Sequence, residues 1–132
     1  MDSARVLFAN EAFYVAFSNS DLEAMDALWA RRAPVCCIHP GWPALTDRDA
    51  VMKSWERILA NLESPEVRTH HARTLDHGRV MAVICYERLE DTMLATTNLF
   101  VQEDGEAKLV HHQSSQCANP PPPEDRGPPE VQ

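Results

Sequence analysis

Asp104-Gly105 lies between Thr96-Thr97-Asn98-Leu99-Phe100-Val101 and Leu109-Val110-His111-His112-Gln113-Ser114-Ser115, and this commits the end of the chain to an antiparallel pair. A two-residue hairpin turn needs φ > 0 at both central positions, which Asp-Gly tolerates. Side chains alternate across a strand, so one of His111 and His112 points to each face. Counting back from the turn pairs Phe100 with Leu109 and Asn98 with His111. Asn98, Phe100, Leu109, His111 and Gln113 then share one face, whereas a bulge at the turn would put His112 in the place of His111. A strand that turns His, Gln and Ser inward either satisfies a core hydrogen-bond network or lines a cavity.

Upstream the period is helical. Residues 3–18 carry Val6, Leu7, Phe8, Phe13, Tyr14, Val15 and Phe17 without Gly or Pro, the pattern of a largely enclosed helix. Ser20-Asp21-Leu22-Glu23 reads as a capping box with Ser20 as the cap, starting a second helix with Leu22, Met25, Leu28 and Trp29 on its buried stripe. That helix closes at Arg31, Arg32 and Pro34. Val35 to His39 forms a short strand ended by Pro40-Gly41-Trp42-Pro43. Thr46 to Asp49 caps a third helix carrying Val51, Trp55, Ile58, Leu59 and Leu62. Strands follow over 67–75 and 79–89, so the order is three helices with one strand between the second and third, then four antiparallel strands.

With 132 residues and 44% hydrophobic content the chain makes one domain, 1–117. Residues 118–132 hold six of the ten prolines among Glu, Asp and Gly, and such a tail is expected to stay solvated. A net charge of −8 with scattered Lys and Arg argues against a nucleic-acid partner. No apolar run is long enough to span a bilayer and no leader pattern opens the chain, so a cytoplasmic protein that does not engage membranes is expected. Cys36, Cys37, Cys85 and Cys117 match no zinc spacing and read as buried free thiols.

Four segments together resemble one fold family: Asp21 to Trp29, Val35 to Trp42, Asp47 to Ile58, and Thr97-Asn98-Leu99-Phe100 through Asp104-Gly105 to Leu109-Val110-His111-His112-Gln113. They are similar to the nuclear-transport-factor-2-like superfamily, in its polyketide-cyclase-like (SnoaL-like) branch. The resemblance implies an α+β cone in which a curved antiparallel sheet wraps around three helices and opens on a pocket for a small organic molecule. It also implies a homodimer, because an open sheet leaves an outer face to cover. The fold hosts isomerases, cyclases and dehydratases as well as non-catalytic modules, so both an acid–base enzyme and a dimerisation or binding module stay open. Ketosteroid isomerase places a carboxylate just after the second helix. The matching Val35 to His39 has none, and Glu87 and Glu90 read as lying near a wet strand end, so the isomerase mechanism is not carried over.

Candidate chemistry rests on the histidines. His39, at a strand end before a rigid loop, and His111 are the candidate proton carriers, since imidazole titrates near neutrality. Tyr14 resembles the oxyanion-stabilising tyrosine of the family. Asn98, Gln113, Phe100, Trp42 and Trp55 are the expected ligand contacts. Neighbouring histidines on a strand face opposite ways, so no metal site is expected, and no cofactor.

Overall fold

The computed structural model describes residues 1–61, 66–122 and 124. Three helices, α1 (Ser3–Ser18), α2 (Leu22–Leu28) and α3 (Arg48–Leu59), pack on a sheet of β1 (Cys36–Ile38), β2 (Val67–Asp76), β3 (Met81–Leu89), β4 (Thr92–Glu103) and β5 (Glu106–Gln116). The sheet order is β1-β5-β4-β3-β2, open at both edges. Strands β2 to β5 form the expected antiparallel meander, whereas β1 runs parallel to β5, so the sheet is mixed. The result is an α+β cone, with α1 laid across β2, β3 and β5.

Local chemistry explains the boundaries. Asp2 caps α1 by accepting from the Arg5 amide at 2.8 Å. For α2 the cap is Asp21, which accepts from the Ala24 amide at 3.1 Å, and not Ser20. Ser20 sits at φ 53 and serves as the turn residue before the cap. α2 stops at Leu28, three residues before Arg31, because the next residues leave the helix to meet β5, with the Ala30 amide donating to the Leu109 carbonyl at 3.0 Å. Asp47 caps α3; Leu62, expected on that helix, lies outside the described residues. Glu103 then pins the segment leaving α2, its carboxylate accepting the amides of Arg31, Arg32 and Ala33 at 2.8, 3.1 and 3.1 Å.

The final hairpin turns at Asp104 (φ 54) and Gly105 (φ 77), with Glu103 opposite Glu106 and Phe100 opposite Leu109. One step further the register changes. Leu99 faces His111 and Asn98 faces His112, which makes Val110 an extra residue in β5. The expected Asn98–His111 pairing is therefore corrected by a bulge inside the strand rather than at the turn.

Phe13 stands at the centre of the core. Its ring meets Tyr14, Trp55 and Phe17 edge-on at centroid distances of 4.8, 5.4 and 6.4 Å, the geometry aromatic quadrupoles favour. It also lies 5.0 Å from the ring of His112, so the apolar core runs directly into a polar one.

Candidate functional site

Six polar side chains from the sheet and α1 converge behind Phe13, each at most 3% exposed: Asn10, Tyr14, Glu87, Asn98, His112 and Ser114. The Tyr14 hydroxyl donates to Glu87 Oε2 at 2.6 Å and accepts from Asn98 Nδ2 at 3.1 Å. Asn98 Nδ2 also donates to Asn10 Oδ1 at 2.9 Å, leaving Asn98 Oδ1 to accept from His112 Nδ1 at 2.6 Å. On the other side Ser114 donates to Glu87 Oε1 at 3.0 Å and stands 2.9 Å from the Thr96 hydroxyl. With its proton on Nδ1, His112 turns the lone pair of Nε2 toward Glu87 Oε2, 4.0 Å away.

Burial dominates the electrostatics. It raises the Glu87 pKa above the ordinary carboxyl range, against the lowering effect of hydrogen bonds from Tyr14, Ser114 and Thr96. Burial, reinforced by the Glu87 charge, also raises Tyr14. His112 is pushed down to about 3 by burial first and by repulsion from His39 and His111 second. His112 is therefore a neutral imidazole, and its 4.0 Å approach to Glu87 is not an ion pair. Burial pushes Cys85, whose Sγ lies 3.6 Å from the Tyr14 hydroxyl, up to about 12 and keeps it a thiol. The expected buried free thiols are found at Cys37 and Cys85, whereas Cys36 and Cys117 are free but only half-buried.

Tyr14, though only 3% exposed, also borders a cleft. A cleft of about 580 Å³ between α1 and β2 has Tyr14, Val15 and Ser18 on one wall and Val67, Thr69 and His70 on the other, with charged Glu11, Glu66, Arg68 and Glu124 around it. Among the six network residues, Tyr14 alone lines that cleft.

Tyr14 and Asn98, each a candidate site residue in the sequence, lie within hydrogen-bond distance of each other. Trp55 and Phe100 are fully enclosed. His39 is 4% exposed, its ring 4.9 Å from both Trp42 and Trp55, and its Nε2 lies 2.8 Å from Ser54 Oγ. Because the Ser54 hydroxyl donates to the Val51 carbonyl at 2.6 Å, Nε2 carries the His39 proton, and burial lowers its pKa to about 4. Trp42 is 37% exposed on its loop. His111 and Gln113 lie on the outer face of the sheet, away from Asn98, because of the Val110 bulge.

Glu87 is the main residue the sequence reading misplaced: it is not at a wet strand end but 2% exposed. Its parity in β3 with the buried Met81, Val83 and Cys85 was the available signal. Asn10 and Ser114 carried similar positional signals, beside Val6 and Phe13 on α1 and two residues after His112.

Among the described residues no group of His, Cys, Asp and Glu has the arrangement of a metal site, and no helix is long and apolar enough to cross a membrane.

Comparison with known proteins places these features. A candidate dehydratase of the NTF2-like family from Streptomyces avermitilis superposes with a TM-score of 0.78 at 29% identity, covering 89% of this chain and 97% of that one. A candidate calcium/calmodulin-dependent protein kinase type II association domain from Thiobacillus denitrificans gives a TM-score of 0.74 at 26% identity, covering 83% and 92%. The F-box protein SKIP8 of Arabidopsis thaliana is 26% identical over 113 residues, which are 83% of this chain and 48% of that protein, so the chain spans about half the length of this relative. The model of the SnoaL-like domain matches residues 6–119, and the chain belongs to that NTF2-like family.

Proposed function

We propose that the domain binds a small organic molecule carrying a carbonyl group in the cleft beside Tyr14, and that Tyr14 and Glu87 carry out acid–base chemistry on it. The observation that supports this is the double position of Tyr14, on the cleft wall and 2.6 Å from a buried carboxyl that has no cationic partner within the network. To serve a developing oxyanion the Tyr14 hydroxyl would turn its proton from Glu87 to the ligand oxygen, and a protonated Glu87 would then donate to the phenol oxygen beside Asn98. In this reading His112 takes the place expected for His111 and acts as a neutral positioning residue, its Nδ1 proton holding Asn98 Oδ1. His39, Trp42 and Trp55 form the wall that excludes water behind the site. The reaction would be of isomerase, cyclase or dehydratase type, and the Streptomyces avermitilis relative supports the last. Four free thiols favour a reducing compartment such as the cytoplasm.

The test is a screen of small ketones and enones in D2O, with amide shifts recorded alongside deuterium incorporation next to the carbonyl. Shifts should concentrate at Tyr14, Ser18 and Thr69, and deuterium incorporation should vanish in Glu87→Gln while binding persists. Shifts confined to the outer sheet face would reject this assignment.

A second reading, a homodimeric non-catalytic module, is favoured by one observation. Ile38, Ile84, Leu99 and Val101 remain partly exposed on the outer sheet face, where His111 and Gln113 also lie. The kinase association-domain relative supports it.

A further inference from the structure

β2 is an edge strand, and it carries a backbone irregularity at a residue with chemistry to offer. Its pairing with β3 jumps from His70–Tyr86 to Arg73–Ile84, so two residues oppose Cys85, and His71 sits there at φ 57. This left-handed conformation is uncommon outside glycine, and bulges of this kind re-aim a side chain. Here the re-aimed imidazole stands edge-on to the Tyr86 ring, 6.2 Å between centroids and 89° between planes. Its Nε2 donates to the Pro122 carbonyl at 2.6 Å.

We propose that the His71–Tyr86 corner is a docking site for a proline-rich segment, and that its occupant is this chain's own Pro120–Pro122. Path length supports the intramolecular assignment. From Gln116, paired with Leu94 on β4, the row continues through Glu87 on β3 to Thr69 on β2. Crossing three strand spacings of about 4.8 Å takes about 14 Å. Six residues from Gln116 to Pro122 reach about 19 Å in polyproline II geometry, enough to arrive with little slack. Pro120 and Pro121 are partly buried on the way, as a segment lying against the body requires.

The recognition chemistry fits the occupant. A proline run has no internal hydrogen bonds and presents its carbonyls outward, so an aromatic edge with one N–H donor recognises it without first melting structure. Docking also carries Glu124 to the wall of the cleft, where it stands with Ser18 and Thr69. The expected solvated tail is thus corrected over its first residues by the contact with His71. The proposal stands independently of what the cleft binds.

The experiment uses the full-length 15N-labelled chain and a triple variant, Pro120→Gly, Pro121→Ser and Pro122→Gly, which leaves the folded body untouched. In the wild type, the His71 ring should hold its proton on Nε2, and the amides of Thr69 to Arg73 should exchange slowly. In the variant that tautomer preference should disappear and those amides should exchange about five- to tenfold faster, the ratio one net hydrogen bond is worth. Amides of β4 and β5 should not change, which establishes that the variant is folded. His71→Gly, whose backbone tolerates the bulge, should give the same acceleration. A His71 ring and β2 exchange identical in wild type and variant would overturn the proposal. So would contacts that strengthen with concentration, or that appear between labelled and unlabelled chains, since a second copy's tail would then be the occupant.

Discussion

Glu87, His112 and His39 depart from their ordinary titration for one physical reason, the cost of a charge away from water, and their consequences for stability have opposite signs. His39 and His112 have folded pKa values of about 4 and about 3 against 6.5, so the unfolded chain binds more protons and stability falls as pH drops below 6.5. Glu87 has a raised folded value. Its stabilising contribution is complete below the unfolded carboxyl value of 4.5 and is lost as pH rises through the folded one. Between pH 6.5 and 4.5 two histidines outweigh one carboxyl. Denaturant midpoints should therefore fall through that window, and His39→Gln should remove about 1.4 kcal/mol per pH unit of the slope. Glu87→Gln should steepen it; an unchanged slope in both variants would contradict the burial argument. At neutral pH, His112→Ala leaves Asn98 Oδ1 without its donor and should cost about 1–3 kcal/mol, whereas the outward His111→Ala should stay within about 0.5 kcal/mol. That one histidine of the pair is interior follows from strand alternation alone. Which one depended on Val110, and a β-branched residue in a strand carries no mark that it will be the extra one.

At the scale of elements, the extent of α1 was readable approximately from its apolar run free of Gly and Pro, while its cap, Asp2, was not singled out in the sequence. The start of α2 was readable only to within a residue. Ser20 and Asp21 are both good caps in isolation, and the chain decides between them by placing Ser20 at φ 53, where the backbone turns from α1 into α2. Asp21→Ala should cost about 1 kcal/mol by thermal melting, while Ser20→Ala should lose no cap. Equal losses, or the larger loss at Ser20, would restore the capping box. The parallel pairing of β1 with β5 had no local signal at all, because three residues of apolar strand fit either sheet edge in either direction. Glu103 is likewise silent in sequence: it reads as a hairpin-flanking charge, yet it gathers three amides from a segment 70 to 72 residues away.

For the molecule as a whole, the cone places a buried polar cluster and an open cleft beside one tyrosine. The outer sheet face offers a second surface, and light scattering over a concentration series should give twice the chain mass, with Ile84→Glu returning the monomer. A wild type that stays monomeric at high concentration would remove the dimer from the account. The resemblance carried by the hairpin and the His-Pro-Gly-Trp loop was enough to indicate the family fold, since those segments mark the strand order and the loop between β1 and α3. Site chemistry was less legible, because a carboxyl in the apolar parity of a strand looks like an exception until the partners that hold it, Tyr14 from α1 and Ser114 from β5, are in place. The central claim is that burial behind Tyr14 raises the Glu87 pKa, and the most direct measurement is a 13C NMR titration of the Glu87 carboxyl in the intact protein. The account predicts a midpoint above 4.5, displaced further upward in Tyr14→Phe, which deletes a donor to the ionised form. A midpoint at or below 4.5 that Tyr14→Phe leaves unmoved would contradict it.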